Sequence, residues 1–121
     1  AGEDIKKGSL LFQAGTFVRP AHIGIMASIK RAMVSVYQRP RVAILSTGDE
    51  LADIDEDLGP GKIVSSNSYS LASLVEDAGG MAIMLGIARD TKEALRSRML
   101  EGLHADIIIS SGGVSVGDYD L

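Results

Sequence analysis

Three short segments of this chain hold side chains that could act on one ligand. They are "STGDEL" (Ser46 to Leu51), "ARD" (Ala88 to Asp90) and "SSGGVSVGDYDL" (Ser110 to Leu121). Each contributes carboxylates: Asp49 and Glu50 in the first, Asp90 in the second, Asp118 and Asp120 in the third. Beside them stand the hydroxyls of Thr47, Ser111 and Ser115, and the backbone N–H groups of Gly112 and Gly113, all donors suited to an anion. Carboxylates next to phosphate donors imply a divalent cation. Mg2+ joins one or two acids to phosphate oxygens and cancels their repulsion. The expected ligand is phosphorylated and comes with Mg2+.

These segments meet only if the elements before them deliver them to one place. From Val42 the chain reads strand, loop, helix, strand, helix, strand. "VAIL" (Val42 to Leu45), "MAIMLGI" (Met81 to Ile87) and "DIIIS" (Asp106 to Ser110) are continuous apolar runs, the pattern of parallel strands covered on both faces. Between the first two, Leu71, Leu74, Val75 and Ala78 form one helical stripe that Gly79 and Gly80 stop. Between the second and third, "DTKEALRSRMLEG" predicts a helix with Asp90 as N-cap, Glu93 completing a capping box, and Gly102 as its end. Two strand–helix–strand crossovers place the three segments beyond the carboxyl ends of the strands, where open parallel sheets bind ligands. Three strands are few for such a sheet, typically about 5–6, and no helix follows the third. The chain therefore reads as a piece of a larger protein.

Residues 1–38 read differently. "GEDIKKGSLLFQAGTFV" sets apolar pairs between glycines, a pattern of short strands and turns. Pro20 then opens a helix through "AHIGIMASIK", and "MVSVYQ" returns to alternation before the stiff "RPR" at Arg39 to Arg41. The expected organisation is a small α+β segment over residues 1–38 and the first part of an α/β domain, a parallel three-layer sheet, over residues 39–121.

Composition narrows the partners. The 121 residues are 45% hydrophobic and 23% charged, as in a soluble globular domain. A net charge of −4 argues against coating nucleic acid, which needs lysines and arginines to displace counterions. The longest apolar stretch, Met81 to Ala88, is far short of the roughly 20 residues that span a bilayer. No charged-then-apolar leader opens the chain, so it reads as soluble, not secreted and not membrane-bound. The absence of cysteine fits a reducing cytoplasm and excludes disulfides and thiolate metal sites.

Several familiar motifs fail on spacing. Counting from Asp53 in the run Asp53, Asp55, Glu56, Asp57, a calcium loop needs glycine sixth and glutamate twelfth, where Leu58 and Val64 stand. That run reads as a solvated loop face. "GGVSVG" has its glycines misplaced for a dinucleotide fingerprint, and "GPGKI" lacks the spacing and hydroxyl of a P-loop. Gly113 to Gly117 does match the G-x-S-x-G nucleophile elbow around Ser115, but that fold's histidine follows its serine, and His22 and His104 both precede it.

Taken in order, "RPRVAILSTGDEL", "GKIVSSNSYSL" with its Asn67, "GIARD" and "ADIIISSGGVSVGDYD" resemble the molybdopterin molybdenumtransferase family, the molybdenum-insertion enzymes that include bacterial MoeA and the E domain of gephyrin. The series runs from Arg39 to Asp120, and "GEDIKKGSLLFQAGTFVRPAHIGIMASIK" resembles the segment that precedes this domain in the family. The resemblance implies a molybdopterin-binding-like fold and a role in molybdenum cofactor biosynthesis. The implied reaction is a transfer in which adenylylated molybdopterin and molybdate react with Mg2+, AMP leaves, and molybdenum stays on the pterin dithiolene. It also implies catalytic carboxylates at Glu50, Asp90 and Asp120, with Asp90 and Asp120 on the metal. Nucleotide and pterin contacts are implied at Thr47, Gly48, Asp49, Ser111, Gly112, Gly113, Ser115 and Asp118. A cytoplasmic homodimer is expected for the full-length protein. Two alternatives stand beside this reading: a non-catalytic scaffold that holds a pterin or a protein partner, and a serine hydrolase using Ser115.

Overall fold

The computed structural model describes Lys6 and residues 8–112. They form two compact units divided between Tyr37 and Gln38. In the first, α1 (Pro20–Ser28) starts on the proline, whose missing N–H costs nothing at a helix N-terminus. The Arg19 N–H is taken by Nδ1 of His22, and the His22 ring meets Phe12 edge-on at 4.9 Å, so this histidine is a structural part of the helix start. Contrary to the expected strands, the described residues of this unit contain turns but no strand. Alternation alone did not suffice, because a strand exists only when a neighbour accepts its N–H groups.

In the second unit, β1 (Arg41–Thr47) leads to two-residue strands β2 (Leu51–Ala52) and β3 (Ile63–Val64), then α2 (Ser66–Asp77), β4 (Met81–Ala88), α3 (Lys92–Glu101), a 3-10 turn (Gly102–His104) and β5 (Ile107–Ser111). The main sheet is parallel in the order β4-β1-β5. This is the α/β fold with a parallel sheet that the apolar runs predicted. As the central strand, β1 is buried from Val42 to Ser46. Successive side chains point to opposite faces. On one face Ser46 meets Ser65 beside α2, and on the other Ala43 and Leu45 cluster with Leu85, Ala88, Leu95 of α3 and Ile108. The flanking strands depart from the expectation of double coverage. Met81, Ile83 and Met84 of β4 and Ile107 of β5 are exposed among the described residues. β4 also carries a bulge, its register passing from Ile44–Met84 to Leu45–Gly86 with Leu85 as the extra residue, as is common at sheet edges.

α2 stops where the glycine pair predicted. The Gly79 N–H bonds to Glu76 O and the Gly80 N–H to Val75 O, both at 2.9 Å, the double closure of a Schellman motif. α3 corrects the expected cap. Its N-cap is Thr91, whose Oγ1 accepts the Ala94 N–H at 3.2 Å, and Asp90 is drawn away toward Asp49. The acidic loop between β2 and β3 is held by its own polar groups: Asp53 accepts from the Tyr69 hydroxyl and the Ile54 N–H, and Glu56 accepts the Asp53 N–H. Tyr69 is the main cause that holds the Asp53 carboxyl below its ordinary range, and the same bond raises the Tyr69 hydroxyl.

At the amino ends of the strands, Asp106 ties β5 to β1. It accepts the Arg41 N–H at 2.7 Å, returns its own N–H to Arg41 O at 2.8 Å, and lies 3.6 Å from the Arg41 guanidinium. The Arg41 N–H, then the guanidinium, lower the Asp106 carboxyl pKa. A depressed folded pKa contributes stability above the unfolded value and loses it as pH falls through the folded one. Wild type should therefore be more stable than Asp106→Asn at neutral pH, and the difference should shrink below about pH 4. Urea unfolding of both proteins at pH 7 and pH 3 checks this; a difference constant with pH would contradict it.

Candidate functional site

The connection from β1 to β4 moves to one side of β1, and the next crossover returns past β1 to β5. The crevice at the carboxyl ends of β1 and β5 is therefore a topological switch point, where open α/β sheets place ligands. Thr47 ends β1 at this crevice and Ser111 ends β5.

The loops after β1 and β4 are fixed by specific contacts. Asp49 and Asp90 hold each other reciprocally: the Asp49 N–H donates to Asp90 Oδ2 and the Asp90 N–H to Asp49 Oδ1, both at 3.2 Å. With the Gly48 N–H on Ala88 O at 3.2 Å, these bonds join the loop after β1 to the loop after β4. The Lys62 ammonium donates to Asp49 O, and the Ile63 N–H reaches Glu50 O at 2.9 Å, so the short pair β2–β3 fixes the far side of the same loop. Glu50 folds back over Gly48, its Oε2 only 2.6 Å from where a Cβ on that glycine would stand. Across the crevice Gly112, at φ 114, packs against the end of β1. A Cβ there would lie 2.1 Å from Thr47 O and 2.7 Å from Thr47 Oγ1.

Thus Thr47, Gly48, Asp49, Glu50, Asp90, Ser111 and Gly112 lie at one end of the sheet, and Asp49 and Asp90 touch. Gly113, Ser115, Asp118 and Asp120 lie outside the described residues. Among the described residues no three carboxylates or histidines gather closely enough to hold a metal by themselves. His104 sits in the turn before β5, at the opposite end of the sheet.

One set of polar residues escaped the sequence reading. Ser46, Ser65 and Ser68 are all buried, and their hydroxyls form a chain with that of Ser111. Ser68 donates to Ser65 O at 2.6 Å, Ser65 donates to Ser46 at 2.9 Å, and the Ser46 and Ser111 oxygens are 3.2 Å apart. The signal was present in "VAILST", where a serine interrupts a strand otherwise apolar at its buried positions. An open cleft of ≈ 350 Å³ between α2 and β4 reaches this chain at Ser65 and Ser68 and is lined elsewhere by Asp53, Tyr69 and Arg98.

Comparison with known proteins places the chain. The family described as "Probable molybdopterin binding domain" matches residues 43–121. A molybdopterin molybdenumtransferase of Nostoc sp. is 48% identical over 127 residues, covering 98% of this chain and 29% of that protein. One from Bacillus subtilis is 38% identical over 121 residues, covering 99% of this chain and 28% of its own length. The crystal structure of the molybdopterin biosynthesis moeA protein from Pyrococcus horikosii matches with a TM-score of 0.85 and 32% identity, over 91% of this chain and 28% of that one. The chain thus spans under a third of the length of each of these three proteins.

Proposed function

The chain belongs to the molybdopterin-binding domain family, and from that membership we propose that it is the pterin- and nucleotide-binding part of a longer molybdenum-insertion enzyme of cofactor biosynthesis. In this reading the full-length protein takes adenylylated molybdopterin and molybdate, releases AMP, and leaves molybdenum on the dithiolene. We extend the proposal to a cytoplasmic homodimer; no described helix is long and apolar enough to cross a membrane.

The observation that carries the reading is that the loops after β1 and β4 and the end of β5 at Ser111 and Gly112 lie at one end of the sheet, with Asp49 and Asp90 clasped. Each of those carboxylates gives one lone pair to an N–H and keeps others free. A carboxylate with free lone pairs, as Asp90 has, fits Mg2+ as a partial donor, since that ion takes one or two carboxylates and completes its shell with phosphate oxygens and water. Asp90, with Asp120, would hold the ion, which when bound neutralises charge on the phosphates of the adenylate. The chain's own groups do the remaining work. Gly112, Gly113, Ser111 and Ser115 donate to phosphate oxygens, Thr47 to Asp49 and Asp118 contact pterin or nucleotide, and Glu50 positions the pterin with its N–H-rich edge.

The test uses the full-length protein, adenylylated molybdopterin, molybdate, a chelator and a serine-reactive phosphonate. AMP release should need Mg2+, stop on chelation and be indifferent to the phosphonate. Labelling at Ser115 with release unaffected by chelator would replace this reading with covalent hydrolysis. Ligand binding with no AMP release under any condition would leave a scaffold.

A further inference from the structure

The serine chain has a direction. Ser65 is the N-cap of α2, yet its side chain makes no cap bond to the helix and donates to Ser46 instead. Ser46 is 1% exposed, and no buried side-chain polar atom among the described residues lacks a partner. The Ser46 and Ser111 oxygens are 3.2 Å apart and their positions allow either to donate; the buried Ser46 hydrogen has no other described acceptor once Ser46 accepts from Ser65, which favours donation from Ser46 to Ser111. Ser111 is the last residue of β5 and only partly buried, next to Gly112 at the crevice. With Ser46 donating to it, Ser111 must turn its hydrogen elsewhere.

We infer that Ser46 and Ser65 are positioning residues that fix Ser111 as a hydrogen-bond donor, so that the crevice selects an ionised phosphate oxygen over a group that must itself donate. Serine hydroxyls ordinarily rotate to suit whatever they meet. An oriented chain removes that freedom before the ligand arrives, which is preorganisation. An unesterified phosphate oxygen accepts from such a group, whereas an ammonium, which carries donors and no lone pair, meets another proton. The inference rests on the nucleotide reading above and names the part of the ligand that Ser111 faces.

A double-mutant cycle on the full-length protein tests it, with AMP and adenylylated molybdopterin as probes and calorimetry as readout. Ser111→Ala should weaken AMP binding about tenfold, the usual worth of one lost hydrogen bond. Ser46→Ala should give most of that loss without touching the ligand, and Ser65→Ala a smaller one. Ser46→Ala combined with Ser111→Ala should bind no worse than Ser111→Ala alone, because Ser46 acts only through Ser111. Ser46→Thr, which restores the hydroxyl, should recover binding, and melting temperatures separate these effects from general destabilisation. Losses that multiply in the double variant, or wild-type affinity in Ser46→Ala, overturn the inference and leave the nucleotide site standing. A wild-type protein that binds neither probe overturns the site itself and the inference with it.

Discussion

Gly112→Ala in the full-length protein is expected to lower stability by roughly 2–4 kcal/mol and to abolish tight nucleotide binding. Two independent obstacles meet at this residue. Its φ of 114 is one that side chains with a Cβ rarely adopt. The added Cβ would also stand 2.1 Å from Thr47 O, a backbone atom that cannot rotate aside. Relief requires the end of β5 to part from the end of β1, which withdraws the Gly112 N–H and the Ser111 hydroxyl from the crevice together. Gly59→Ala is the matched control, since nothing lies within 4 Å of its Cβ position. Urea unfolding and AMP calorimetry on both variants check the expectation; equal behaviour of the two would mean that β5 and β1 separate there at little cost.

Asp90→Asn separates two roles of one side chain. The amide keeps an oxygen for the Asp49 N–H and leaves the Asp90 N–H free to reach Asp49 Oδ1, so the clasp survives. The charge that would hold Mg2+ does not. Mg2+-dependent AMP release should fall on the order of 100-fold or more, with an unfolding midpoint near that of wild type. Asp90→Ala should lose the same activity and, in addition, about 1 kcal/mol of stability, because the Asp49 N–H loses its acceptor. Steady-state AMP release at saturating Mg2+ and urea midpoints distinguish the two. Wild-type activity in Asp90→Asn would reduce Asp90 to a structural clasp.

The sheet was legible because its cause is local. Val42 to Leu45, Met81 to Ile87 and Asp106 to Ser110 are apolar without alternation, and Gly79–Gly80 announce the end of α2 by their type alone. Parallel strands share one carboxyl edge, so the placing of "STGDEL", "ARD" and Ser110 to Gly112 at that edge followed from three strands and two crossovers. Partner choice was not legible. Asp90 and Thr91 are both good N-caps, and only the distant Asp49 decides that threonine takes the helix. β2 and β3 are too short for any periodicity and exist because Leu51 and Ala52 find Ile63 and Val64 across the acidic loop. The serine chain likewise joins residues from three elements far apart in sequence, and although Ser46 stands out within its apolar strand, nothing local names Ser65 and Ser111 as its partners.

The order β4-β1-β5 also governs how the domain must assemble during synthesis. β1 is the first strand of this sheet to leave the ribosome and the last to be completed. One of its edges waits for Met81–Ala88, and the other stays open until Ile107–Ser111 has been made. Through that interval the strand destined to be the most buried of the sheet presents unpaired N–H and C=O groups, the kind of template on which nascent chains misassociate. Loop closure over such separations is slow as well as late. Substitutions in β5 should therefore be felt first as loss of soluble protein from cells, before any loss of ligand binding by the molecules that do fold.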